Sequence, residues 1–126
     1  MRYHDYHLKK YEVSDRGETI AFHLVYGYPE EETDDSHIKF SSVALYNFSH
    51  TTSAIITDIE EIEISDIMQE YGNEITEWNR MYGVRFWKDN LQNYSLRLQS
   101  EGYKAWRIVS AIGFYGFVIA KTLGNA

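Results

Sequence analysis

Residues 54–82 read AIITDIEEIEISDIMQEYGNEITEWNRMY, and the spacing of their apolar side chains changes at Ser65. From 54 to 64 apolar and polar residues alternate imperfectly, which is typical of a β-strand with one buried face. From Ile64 onward the apolar residues recur every three or four positions, a spacing that predicts one buried stripe along a helix. Ser65 and Asp66 suit a first turn, where the helix dipole favours a polar cap and an acid. The sequence therefore predicts a strand that leads directly into a helix over residues 65–82.

The residues before this stretch predict three more strands. Apolar and polar residues alternate over 3–13, 19–28 and 37–48, and the break at Ser41 and Ser42 suggests a bulge. Polar or turn-forming residues separate the strands at 14–17, 29–35 and 49–53. Connections this short exclude parallel crossovers, so we expect an antiparallel meander of about four strands.

The residues after this stretch predict a second helix and a final hairpin. Leu91, Tyr94 and Leu98 share one helical face over about 90–101, and Gly102 suits the C-terminal cap. Residues 103–123 are strongly apolar and read as two strands joined by a short turn at their central glycines. The expected fold class is therefore α+β, in a single domain over residues 1–126: the meander, two helices and a C-terminal β-hairpin.

Composition and charge narrow the function classes. The chain has 126 residues and no Cys, which excludes disulfides and thiolate zinc sites and favours a cytoplasmic location. It has no apolar run long enough to cross a membrane as a helix, and its start does not resemble a signal peptide. Residues 30–79 hold thirteen acids and one base, net −12, whereas residues 80–126 hold seven bases and two acids, net +5. With a net charge of −7 overall, we expect neither nucleic acid nor membrane as a partner.

No motif with a specific chemistry is present, so we lean against an enzyme. Phosphate-loop and nucleophile-elbow patterns are missing. His4, Asp5 and His7 are the densest group of metal ligands, but His4 and His7 point to opposite faces of a strand. We therefore expect no cofactor and no tightly bound zinc or iron. The alternative is a small-molecule or metal-binding domain, even a small enzyme, with a pocket lined by Tyr and His.

The acidic helix is the more informative feature. Asp66, Glu70, Glu74 and Glu77 are spaced by four, four and three residues, so they form one column opposite the apolar stripe. A solvated face is the commonest role of such a column, and the alternative is a docking surface for a basic protein. On the basis of the docking surface, we predict that the chain is a protein-binding domain without catalytic activity.

Aromatic residues after this helix extend the predicted binding surface. Three aromatic residues lie among three basic ones here: Tyr82, Phe86 and Trp87 among Arg80, Arg85 and Lys88. Clusters of Arg and aromatic residues are enriched at protein interfaces. The alternative is an ordinary corner between two helices, packed by the aromatic side chains. The chain holds 20 aromatic residues and its charge is segregated, so we also predict a two-fold homodimer in which these three aromatics take part.

Three features of the first 60 residues occur together: His4-Asp5 at the start of a strand, the polar turn at 14–17, and the strand Ile38-Lys39-Phe40-Ser41-Ser42-Val43. In these features residues 1–60 resemble uncharacterised small bacterial β-rich families. Some of these families are thought to be immunity proteins encoded beside toxins. The resemblance implies an immunity-like function through protein binding, and no functional residue is carried over from it.

Overall fold

The computed structural model describes residues 2–26, 34–81 and 86–125. They form an antiparallel four-stranded sheet and two helices, which confirms the α+β class and both predicted helices. The elements are β1 (Arg2–Ser14), β2 (Thr19–Tyr26), β3 (Asp34–Ile62), α1 (Ile64–Met81), α2 (Leu91–Ser100) and β4 (Lys104–Asn125).

The turn between β1 and β2 lies where the sequence predicts it. Asp15 to Gly17 form a single 3-10 turn, and Asp15, Arg16 and Gly17 all have positive φ, of 53°, 60° and 93°. A side-chain hydrogen bond stabilises the turn, because the Thr19 hydroxyl donates to Asp15 Oδ2 at 2.9 Å. Asp and Gly adopt left-handed backbone conformations more readily than most residues, which explains the strength of this sequence signal.

β3 is the central strand, and the sheet closes on itself around it. Its first part pairs with β2 (Ile20 with Phe40), and its last part pairs with β1 (His7 with Ile55). Because β1 also pairs with β2, these three strands form a closed ring of hydrogen-bonded neighbours. β4 pairs with β3 on the other side, along almost the whole length of both strands.

β3 corrects the prediction of two separate strands joined by a turn at 49–53. The chain does not reverse there, because the pairing with β4 continues on both sides. Instead the register shifts between His50 and Ile55, and Ser53 has a φ of 60°. The polar residues mark a bend within one long strand. The predicted bulge is found: Ser42 has a φ of 54°, and the register shifts again between Val43 and Leu45.

The prediction of a C-terminal hairpin is also wrong, because residues 104–125 form the single strand β4. Gly113 has a φ of 79°, but it lies opposite the bend of β3 rather than in a reversal. Gly116 lies directly across from Phe48, and a Cβ atom there would be 2.4 Å from the Asn47 carbonyl oxygen. These two glycines therefore allow the strands to bend and approach closely, which a local pattern cannot distinguish from a turn.

Two hydrophobic cores lie on opposite faces of β4. Val118 and Ala120 point into the ring, where they join the buried side chains of β2 and β3. Phe117 and Ile119 point outward and are covered by the helices. The strand is thus buried on both faces, which explains why its sequence is so apolar.

The helices follow the predicted boundaries and pack through the predicted stripe. The buried residues of α1 are Ile64, Ile67, Met68, Tyr71 and Ile75. The Asn90 side chain caps α2 by accepting a hydrogen bond from the Asn93 backbone N–H at 2.8 Å. Among the described residues, neither helix has the length and apolar content needed to cross a membrane.

Candidate protein-binding surface

The four acidic residues of the predicted column all lie on α1 and are exposed. Asp66, Glu70, Glu74 and Glu77 share one side of the helix, which flanks its buried stripe rather than lying opposite it, and Glu70 is close enough to β4 to contact it. The amphipathic pattern alone produces this arrangement, since residues three or four apart share one face of a helix. They differ, however, in what surrounds each carboxylate.

Glu70 is tied to β4 and is largely occupied within the chain. Its two oxygens accept hydrogen bonds from the Tyr115 hydroxyl and the Arg107 guanidinium. The Tyr115 hydrogen bond lowers the pKa of Glu70, and Arg107 lowers it further, while partial burial opposes both. Tyr71 extends the network through its own hydrogen bond to Tyr115, and Glu60 lies 4.0 Å from Arg107. This network anchors α1 to the sheet.

The other three carboxylates remain closer to solvent. Glu77 forms an ion pair with Arg80 at 2.7 Å, and this hydrogen bond lowers the pKa of Glu77. Asp66 and Glu74 form no ion pair with any residue that the structure describes. Their charges are therefore the least neutralised in the column.

A shallow groove runs beside the column at the C-terminal end of α1. It is lined by Asn73, Glu74, Glu77, Trp78 and Met81. The Met81 side chain is 60% exposed, and Trp78 is only partly covered by the helical core. Apolar surface thus lies directly beside negative charge. These five residues and Asp66 are called the α1 surface below.

The predicted aromatic cluster is mainly a helix corner. Trp87 is only 8% exposed, and both it and Phe86 pack against Tyr94 of α2, with ring centroids 5.5 and 5.7 Å away. Burial raises the pKa of Tyr94 to about 12. The Asn79 side chain closes the corner by accepting hydrogen bonds from the backbone N–H groups of Phe86 and Trp87. Little of Trp87 is left for a partner.

Two parts of the prediction lie outside the described residues. Tyr82 and Arg85 fall in the segment 82–85, and the side chains of His4 and Asp5 are not described either. The contribution of Tyr82 to binding and the opposed orientation of His4 and His7 therefore stay predictions.

A cluster that the sequence patterns did not single out lies on the outer face of the ring. His23 of β2 and Asp35 and His37 of β3 bring their ligand atoms within 4.8 Å of one another. The alternation of β2 already places His23 on its polar face, but only the register of β2 against β3 brings the other two residues beside it. The sequence alone does not show how β2 and β3 pair, because residues 27–33 separate them in the chain.

No protein-family model, curated protein or solved structure matches the chain. The resemblance of residues 1–60 to bacterial immunity-like families therefore stays a prediction.

Proposed function

We propose that the chain is a non-catalytic protein-binding domain whose α1 surface binds a basic segment of another protein. The observation that carries the proposal is that Asp66 and Glu74 form no ion pair with any described residue, and that Glu74 lines a groove together with Trp78 and Met81. A toxin neutralised by this domain would be one such partner, in line with the resemblance of residues 1–60. The lack of Cys supports a cytoplasmic setting.

Charge supports a basic partner. Residues 30–79 carry a net charge of −12, and the exposed Glu61 and Glu63 precede the acidic helix in the chain. A negative field of this kind speeds the encounter with Lys and Arg and disfavours acidic competitors. The negative field therefore increases specificity and the association rate more than it increases affinity.

The groove supports an apolar contribution to affinity. Trp78 and Met81 offer apolar surface beside Glu74 and Glu77. A Lys or Arg side chain could lay its aliphatic part on Trp78 while its charge meets a carboxylate, and Trp is the best aromatic partner for a cation. A basic segment that carries an aliphatic residue fits this surface better than one with charge alone.

The anchoring of α1 supports a preorganised surface. Ile67 and Ile75 are fully buried in the helical core, and the Glu70–Arg107–Tyr115 network fixes the helix to β4. A surface that is ordered before binding loses less conformational entropy when the partner arrives.

The experiment uses a defined basic peptide with the full chain. A short peptide of alternating Lys or Arg and Leu is titrated into ¹⁵N-labelled protein, and the same peptide with Ser in place of Leu tests the groove. We expect chemical-shift changes confined to α1, weaker binding of the Ser peptide, and about tenfold weaker binding by the double variant Asp66→Asn/Glu74→Gln.

The control variant Glu12→Gln/Glu101→Gln removes the same charge from exposed positions outside α1. The proposal is wrong if both double variants lose affinity equally, or if the shifts spread over the whole surface. A second copy of the chain is the other possible occupant of the α1 surface, and it would appear as shifts in the same residues on raising the protein concentration without peptide.

One observation favours the alternative prediction of a metal-binding domain. It is the cluster of His23, Asp35 and His37, on a different element from the α1 surface.

A further inference from the structure

We propose that His23, Asp35 and His37 form a binding site for a divalent transition metal, with Zn²⁺ as the ion that fits best. Two imidazoles and one carboxylate are ligands that Zn²⁺ and its neighbours in the transition series accept, whereas Ca²⁺ and Mg²⁺ require more oxygen ligands. This site is independent of the α1 surface and of the proposed protein binding.

The distances fit a small metal ion. Asp35 Oδ1 lies 3.3 Å from His37 Nε2 and also contacts His23 Nε2. Ligands at about 2.0–2.1 Å from a tetrahedral zinc are separated from one another by about 3.4 Å. The two imidazole rings are stacked, with centroids 4.1 Å apart and planes 24° from parallel. The three ligand atoms are close enough to share one ion, and both rings must rotate from this stacked arrangement to aim their nitrogens at it.

The register of the sheet accounts for this convergence. His23 and His37 are directly opposite on β2 and β3, so their side chains leave the same face at adjacent positions. Asp35 lies two residues before His37 and shares that face, as alternate residues of a strand do. The neighbouring residues Phe22 and Ile38 point the other way, into the ring core.

The supporting scaffold is rigid where the ligands are attached. Phe22, Leu24 and Ile38 are at most 1% exposed, so the backbone that carries the ligands is held by the ring core. Ligands fixed by a packed scaffold lose little freedom when a metal binds.

The exposure of the ligands leaves access for an ion. The His23 side chain is 13% exposed, while His37 and Asp35 are 51% and 61% exposed. Three protein ligands leave one tetrahedral position for water or for a group from a partner. The sequence-based expectation of no tight zinc site considered His4 and His7, and the proposed site uses other histidines.

Zinc bound here would join β2 to β3 and stabilise the folded chain. An ion that binds only the folded state raises the free energy of unfolding. The unfolded chain does not bind it in the same way, because its two imidazoles and its carboxylate are not held together. We therefore expect the melting temperature to rise with zinc concentration.

The experiment is a zinc titration of the full chain, expressed without a histidine tag. Isothermal titration calorimetry with ZnCl₂ should give one zinc per chain, and His37→Gln should weaken binding at least about tenfold, as even indirect supports of zinc ligands often contribute that much. His37→Gln is the chosen variant because half of this side chain is exposed, so folding should survive. His50→Gln is the matched control, since His50 is also exposed but outside the cluster.

A second measurement locates the ion without any substitution. Two-dimensional NMR of the imidazole nitrogens should show zinc-induced changes at His23 and His37. The proposal is overturned if no zinc binds at equal stoichiometry, if His37→Gln and His50→Gln bind equally well, or if only the other histidines respond. None of these results would bear on peptide binding by α1, so the two proposals fail separately.

Discussion

At the residue scale, two glycines decide how β3 and β4 can run side by side. Gly113 combines a φ of 79° with a position where a Cβ atom would lie 2.5 Å from Thr51 Oγ1. Gly116 has no such φ, but a Cβ atom there would meet the backbone of β3. A side chain at Gly116 forces the paired strands apart, whereas Gly113 is required mainly by its positive φ, because the Thr51 hydroxyl can rotate away.

Substitution of Gly116 tests this close approach. We expect Gly116→Ala to lower the free energy of unfolding by about 2–3 kcal/mol, because the obstructing atoms belong to rigid backbone. Gly124 lies in the same strand with open space around it, so Gly124→Ala should change stability by less than about 0.5 kcal/mol. Urea unfolding followed by circular dichroism measures both values. Equal effects of the two substitutions would contradict the close approach.

At the element scale, Glu70 links α1 to β4 and should make stability depend on pH. The hydrogen bond from Tyr115, with help from Arg107, lowers the pKa of Glu70 in the folded state. A carboxylate with a lowered pKa contributes stability that is complete above its unfolded pKa, about 4.3, and is lost as pH falls through the folded value. The contribution is therefore present at neutral pH and disappears in acid.

The variant Glu70→Gln tests this link. At pH 7 we expect it to be less stable than wild type by about 1–2 kcal/mol, a value reduced because the side chain is 29% exposed. The difference should stay constant down to about pH 5 and shrink below about pH 4. Glu74→Gln is the control, because Glu74 has no ion pair within the described ranges, and it should show little difference at any pH. A Glu70→Gln deficit that persists unchanged at pH 3 would refute the assignment.

At the scale of the whole molecule, β4 joins the two cores into one cooperative unit. Val118 faces the ring and Phe117 faces the helices, and both are fully buried. Loss of either core exposes one face of the same strand. The ring and the helices should therefore unfold together, although their residues lie largely in separate parts of the chain.

A mild substitution in the helical core tests this cooperativity. Ile75→Val removes one buried methylene group and should lower stability by about 0.5–1.5 kcal/mol. In a Trp78→Phe/Trp87→Phe background Trp106 is the one remaining tryptophan, so its fluorescence reports the ring while circular dichroism reports the helices. We expect Ile75→Val to shift both midpoints together. Separate midpoints for the two signals would show that the helices unfold independently of the ring.

The two-fold dimer stays a prediction at this scale. The number of aromatic residues and the segregated charge favour a dimer, but Trp87 packs within its own chain and Arg107 pairs with Glu70. A dimer would therefore use other exposed apolar side chains, such as Met81, Leu96 and Ile112. Light scattering at micromolar concentration should give twice the chain mass of 14.8 kDa. A measured mass equal to that of one chain would contradict the prediction of a dimer.

Several elements can be predicted from the sequence because their signals are local. The stripe from Ile64 to Ile75 specified α1, the alternation from Ile20 to Leu24 specified β2, and the Asp15 to Gly17 turn specified the first hairpin. The same periodicity placed the four carboxylates of α1 in one exposed column. Each of these features depends on residues within a few positions of one another, so the pattern contains the physical cause.

Features that depend on pairing between distant residues could not be predicted from local patterns. The polar residues around Ser53 and the glycine at 113 indicate irregular backbone, but a turn and a bend look alike until the partner strand is known. The burial of Trp87 and the capture of Glu70 by Arg107 depend on packing between separate elements. The meeting of His23 with His37 depends on the register of β2 against β3, because a shift of one residue would turn either side chain to the opposite face.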